Sequence, residues 1–249
     1  MAYALTVRQL FHLHLLTIEC LAALNLVPLA GDALGHRRLY GFARLFRVSE
    51  EGNVPTLFSA FALGVTAVAA YAIAQTPQTS QQDSRVWRLV SIIFGFMAID
   101  EAVQLHEMLN RVGQAEGSDG IFLNVGVFPY LMLAVTLAVT MLPFWWRQEQ
   151  EVRFNMFLGG CIYTLAATVP EMPENFFLSE GVARTDFRMG VLYAIEELGE
   201  MLGVAVILRS FLLCYVSRST SPIFCWTVRP DPKAPLAASN ETEGHPAPD

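Results

Sequence analysis

The stretch "VWRLVSIIFGFMAIDEAVQLHEML" (residues 86–109) starts as a membrane helix and turns acidic before it is long enough to finish as one. Val86 to Ile99 is apolar apart from Arg88 and Ser91 and covers roughly 21 Å at the helical rise, short of a hydrocarbon core of roughly 30 Å. Asp100 and Glu101 therefore fall inside the far leaflet, with His106 and Glu107 following them. The whole chain supports a membrane setting. Hydrophobic residues make up 53% of its 249 and charged residues only 16%, where soluble domains carry about 25% charge.

Apolar runs of spanning length recur on both sides of this stretch. They cover 10–30, 54–74, 86–109, 121–146, 154–177 and 190–216, and no strand alternation competes with them. The expected fold is an all-α bundle of about six transmembrane helices in one domain, 1–216. The segment 37–47 alternates arginines with Leu, Tyr and Phe, in keeping with an interfacial amphipathic helix or a solvated basic loop. Residues 217–249, rich in Pro, Ser and Ala, read as a disordered tail. Glu19 and the single Arg8 ahead of it argue that the first run is a retained helix rather than a signal peptide.

Six crossings put both termini on one face, here called the terminal face. Lys and Arg are almost evenly divided between the two sides, and discounting 37–47 favours cytoplasmic termini. No basic cluster is dense enough for nucleic acid, which leaves the lipid bilayer as the one partner the composition names. The four cysteines form no CxxC pair, so neither a disulfide framework nor a cysteine zinc site is expected.

Several helices run short of apolar residues toward the same face. Glu171 follows the apolar run from Phe154 to Val169, and Glu200, with Glu196, precedes the run from Met201 to Val216. The second run starts from that face with Glu51, Asn53, Thr56 and Ser59. On helical spacing Asp100, Gln104 and Glu107 share a stripe, as do Tyr193, Glu196 and Glu200. Glu171 and Glu174 stand one turn apart where Pro170 and Pro173 distort the helix. Carboxylates crowded in low dielectric must hold protons, bind a metal or meet a positive group.

A metal bound here would meet mostly oxygen donors and at most one imidazole, which suits Mn, Fe, Mg or Ca. The expected ligand set is Glu51, Asp100, Glu101, His106, Glu107, Glu171, Glu196 and Glu200. Neither HExxH nor the Glu-x-x-His pairs of di-iron bundles are present. His12 and His14 suit interhelical or interfacial hydrogen bonding better than ligation, and Gly199 with Gly203 forms a GxxxG expected to serve close packing.

The stretches "EEGNVPTLFS" (50–59), "AIDEAVQLHE" (98–107) and "IEELGEML" (195–202) resemble those of an uncharacterised group of bacterial polytopic membrane proteins. The resemblance spans residues 40–205 in outline. It implies that Glu51, Asn53, Asp100, Glu101, His106, Glu107, Glu196, Glu197 and Glu200 belong to one site, and that the membrane is a bacterial inner membrane. It implies no activity. Three functions stay open: a metal-dependent enzyme acting on a lipid or apolar substrate, a proton- or cation-coupled transporter, and a non-catalytic scaffold.

Overall fold

A computed structural model describes residues 5–35, 39–50, 52–105 and 127–219, and among these there is no strand. The long helices are α1 (Val7–Ala33), α3 (Val54–Ala74), α4 (Gln81–Val103), α5 (Val127–Trp146), α6 (Gln150–Thr168) and α8 (Phe187–Arg218). Two short ones join them, α2 (Phe42–Phe46) and α7 (Glu171–Ser179). Four stretches are long and apolar enough to cross a membrane: Val7–Ala33, Val54–Ala74, Gln150–Ser179 and Phe187–Arg218. The run Val135–Trp146 is apolar but shorter. The expected 86–109 span is corrected at both ends. Its helix starts at Gln81 and takes in the polar turn "QQDSR", and it stops at Val103.

Local chemistry sets the helix ends. Thr6 and Gln9 form a reciprocal capping box at the start of α1, with Thr6 N–H donating to Gln9 Oε1 at 2.9 Å. The Asn53 side chain accepts from Thr56 N–H at 3.1 Å to start α3, and Pro55 in the first turn loses no helical bond. Where α3 ends, hydroxyls take over its last carbonyls. Thr76 and Thr79 both donate to Ile73, and Ser84 donates to Ala74 at 2.8 Å. That closes the tight α3–α4 hairpin.

The fifth span breaks where two prolines remove amide donors. Pro170 and Pro173 cannot bond the carbonyls of Ala166 and Val169. Val169 and Pro170 nevertheless keep right-handed helical dihedrals, so α7 carries on from α6 after a break.

Helix α8 is the axis of the bundle and packs against α1, α3 and α6. From Met201 to Tyr215 it is buried on almost every side, as an apolar helix at the centre of a bundle should be. Its approach to α6 depends on glycine. A Cβ on Gly203 would lie 2.7 Å from Tyr163 N, and one on Gly159 2.9 Å from Ile207 N. Gly199 faces Ala166 in the same seam. The GxxxG is thus a packing device, as its spacing suggested. Toward the terminal face Trp87, Phe144 and Phe211 stack edge to face in the largest apolar cluster.

Around 37–47, the described part is one 3-10 turn (Leu39–Gly41) followed by the five-residue α2, on which Ala43 is buried while Arg44 and Leu45 are exposed. Residues 36–38 and the tail from 220 onward lie outside the described residues.

Candidate functional site

The acidic face is assembled from the ends of several helices. A buried staple fixes the segment before α3. Arg47 makes a two-pronged ion pair with Asp32 in the last turn of α1, and it also meets Glu50 at 3.2 Å. Asn25, buried in α1, accepts from Val48 N–H at 3.1 Å, and Asn53 donates to the carbonyls of Arg47 and Glu50. The staple delivers Gly52, with φ +69°, beside the end of α4. A Cβ there would lie 3.7 Å from Gln104 Nε2.

Gln104 itself adopts left-handed dihedrals (φ 62°, ψ 43°) and ends α4. The helix that carries Asp100 therefore ends before Gln104, and Glu107, the third member of the expected stripe, lies outside the described residues. The left-handed residue rotates the chain out of register after Val103. Asp100 and Glu101 stay helical and half-buried in the last turn of α4. Glu51, His106 and Glu107 lie outside the described residues.

The carboxylates of α4 and α8 meet at a residue that the sequence pattern did not single out. Tyr163 of α6 lies beside Glu200 and within electrostatic reach of Glu101 and Glu197. Beneath it an apolar floor joins four helices: Ala62 and Leu63 of α3, Met97 and Ala98 of α4, Tyr163 of α6, and Val204 of α8. Glu200 stands roughly 20 Å of helix from the start of α8 and roughly 27 Å from its end, a position well inside the bilayer for a spanning helix. The glycine seam explains why Tyr163 reaches it, since Gly203 touches the Tyr163 backbone one turn below Glu200.

A second Tyr–Glu pair lies nearer the surface of the same face. Tyr193 Oη donates to Glu174 Oε1 at 2.9 Å, and Glu174 is buried in α7. Arg184 reaches both, at 3.6 Å from Glu174 and 3.5 Å from Tyr193, and remains half-exposed. Glu196 acts electrostatically on Tyr193, so Tyr193, Glu196 and Glu200 do line one stripe toward this face. Glu171 is half-buried at the first position of α7, where the helix N-terminus favours a negative charge.

Among the described residues, no three His, Cys, Asp or Glu side chains are grouped so as to hold a metal ion. Of the expected ligand set, Glu51, His106 and Glu107 lie outside these residues. His14 packs edge-on against Phe58 at 5.0 Å, and its Nε2 is buried without a hydrogen-bond partner among the described residues. This replaces the expected interhelical hydrogen bond with an aromatic contact.

The sequence contained most of this site but not its hub. Glu174 was visible in the "PEMPEN" stretch, and Arg184 is an unremarkable loop residue. Tyr163 would have emerged only by pairing Gly159 with Gly203 and asking what lies one turn on.

The family model described as Domain of unknown function (DUF8692) matches residues 13–215, and the chain belongs to that family. No curated protein matches the chain, and no solved structure does.

Proposed function

We propose that this member of the family is a six-crossing integral membrane protein that couples proton or cation binding at its acidic face to transport. The observation that carries the reading is the convergence of Glu101, Glu197 and Glu200, from two helices, on the Tyr163 hydroxyl of a third. Carboxylates gathered this deep must share a proton, a cation or a positive group among them. The Tyr193–Glu174 hydrogen bond and the Tyr163 hydroxyl beside Glu200 supply groups that both donate and accept, as a proton relay requires. In this reading Glu200 is the inner site, and Glu174 with Tyr193 is its outer station.

The alternating direction of α1, α3, α4, α5, α6 and α8 supports six crossings. The terminal face carries the better-spread arginines, including Arg8, Arg85, Arg88, Arg147 and Arg218, which supports cytoplasmic termini in a bacterial inner membrane. Reporter fusions at residues 5 and 230 should report the same side.

A metal-dependent enzyme acting on a lipid or apolar substrate is the second reading. It is favoured by the approach of Gly52 to Gln104, which brings the turn before α3 to the end of α4. Mn, Fe, Mg or Ca would suit its oxygen donors.

One set of proteins separates the readings. Purified wild type, Glu101→Gln, Glu200→Gln and His106→Ala are analysed for metal and reconstituted into liposomes for pH-driven flux. The coupled transporter predicts flux in the wild type, abolished by Glu200→Gln and reduced by Glu101→Gln. Stoichiometric metal in the wild type, lost in all three variants, would establish the enzyme reading instead. A scaffold predicts neither flux nor metal.

A further inference from the structure

The terminal face carries a surface that the cation reading does not use. On α4, Arg85, Arg88, Leu89, Ile92, Phe96 and Ile99 are all exposed and follow one stripe at helical spacing. The stripe is apolar from Leu89 onward, with Ile92 at 68% exposure, so it faces hydrocarbon in a membrane. Its terminal end carries two guanidinium groups one turn apart, and neither makes an ion pair among the described residues.

Helices α5 and α6 repeat the arrangement. Trp146 is exposed at the end of α5, and Arg153 lies over its ring with the guanidinium 5.2 Å from the centroid. Below Arg153 on α6, Phe154 and Phe157 face outward. The three helices are tied edge to edge at this level. Arg147 pairs with Asp83 at 2.7 Å, and Trp145 Nε1 donates to the Arg153 carbonyl at 2.8 Å.

The nearby acids do not cancel the patch. Asp83 is committed to Arg147 and Glu151 to Arg209. Glu149 is exposed at the N-cap of α6, where the helix dipole stabilises a negative charge. Arg85, Arg88 and Arg153 are thus left as positive charges at the headgroup level above an apolar stripe.

We propose that this surface binds the headgroup of an anionic glycerophospholipid, with Arg85 and Arg88 on the phosphate and the acyl chains along Leu89 and Ile92. Charge complementarity selects the ligand. Paired guanidinium groups match phosphate oxygens bidentately, and polybasic patches at the membrane surface favour anionic over zwitterionic lipid. A headgroup carrying its own ammonium would place a positive charge among the arginines.

The test uses the full chain in neutral detergent. Its Tm is measured with added phosphatidylglycerol or phosphatidylcholine of equal chain length, and separately with inorganic phosphate. Phosphatidylglycerol should raise the Tm of the wild type more than phosphatidylcholine does. In the double variant Arg85→Gln/Arg88→Gln that preference should vanish while the lipid-free Tm stays within a degree or two. Both positions are exposed, so folding is not at risk. Equal shifts with the two lipids, or a preference that survives in the double variant, would overturn the proposal. So would phosphate reproducing the whole shift, because the occupant would then be the anion rather than the lipid. The outcome is independent of the flux measurements, and either can fail without the other.

Discussion

The two ends of the α6–α8 seam use the same backbone approach for opposite chemistry. At the terminal end, Arg209 bonds Asn155 at 2.9 Å and Glu151 at 3.2 Å and stacks on Phe11, while Ser210 donates to the Val152 carbonyl. There each donor meets an acceptor and the charges are opposite. At the other end, Tyr163 lies within electrostatic reach of Glu101, Glu197 and Glu200, three acids from two helices. The first arrangement is what stability alone would select. The second gathers carboxylates within a membrane span, where ionisable groups are costly and are functional-site candidates by default. The Asp32–Arg47 staple sits at the acidic face yet belongs with the first type, because its two charges are opposite and both are buried. Membrane depth alone therefore does not separate the two classes. The sign of the neighbouring charge does.

This distinction sets the largest expected effect. Asp32→Asn should destabilise the protein by about 3 kcal/mol, the low end for breaking a buried pair, since Arg47 then keeps only the half-exposed Glu50 as counter-charge. In the transport reading, Glu200→Gln should abolish flux while lowering Tm less than Asp32→Asn does, because Gln keeps the shape and much of the hydrogen bonding of Glu. Thermal unfolding of both variants in one detergent checks the contrast. A Glu200→Gln protein that melts as early as Asp32→Asn would place Glu200 among the structural ion pairs and end the comparison.

A smaller effect should separate two adjacent glycines on α6. A Cβ at Gly159 meets the Gly203 carbonyl at 2.8 Å and the Ile207 nitrogen, both backbone atoms that cannot step aside, whereas at Gly160 it meets nothing within 4 Å. Gly159→Ala should therefore cost about 1–3 kcal/mol through overpacking. Gly160→Ala should be neutral or stabilise by up to about 1 kcal/mol through helix propensity alone. Because Gly159 lies in the same seam as Tyr163, its variant should, in the transport reading, lose flux as well as stability. Equal Tm values for the two variants would mean that α6 and α8 are less intimate than their glycines indicate.

The fold was legible in the sequence wherever one kind of signal decided it. The span 54–74 coincides with α3 because Asn53, Pro55 and an unbroken apolar run agree on its limits. The third span failed at both ends for physical reasons. Polar residues 81–85 continue the helix outward from an N-cap at Ser80, and left-handed Gln104 stops it without any glycine or proline to announce the break. Of the site, the acids of α4 and α8 were visible as misplaced charges in apolar runs. Tyr163 was not, because a tyrosine in a membrane helix is unexceptional until a tertiary crossing places it against Glu200. Glu174, rather than Glu171, proved to be the fully buried member of its pair, since it lies under Tyr193 and Arg184 while Glu171 stays half-buried at the start of α7.

The smallest effect concerns Asp186, which caps α8 on the acidic face outside the span and shows what an opposite-charge pair contributes when it is exposed. Its carboxylate is held below the usual range, first by the Arg188 side chain and then by the Arg188 backbone N–H, at 3.0 and 2.9 Å. A carboxylate whose pKa is lower folded than unfolded adds stability above its unfolded value, and that stability fades as pH falls through the folded value. Asn caps a helix about as well as Asp, so Asp186→Asn removes the charge and keeps the cap. The wild type should melt slightly above Asp186→Asn at pH 6, and the gap should close as the pH is lowered through the carboxylate range. Salt should shrink the gap at pH 6, because both side chains are open to solvent. A gap that persists at pH 3 would mean that Asn fails as a cap here, and the pair would then say nothing about charge. A gap as large as that of Asp32→Asn would break the rule that burial, and not merely opposite sign, gives an ion pair its structural weight.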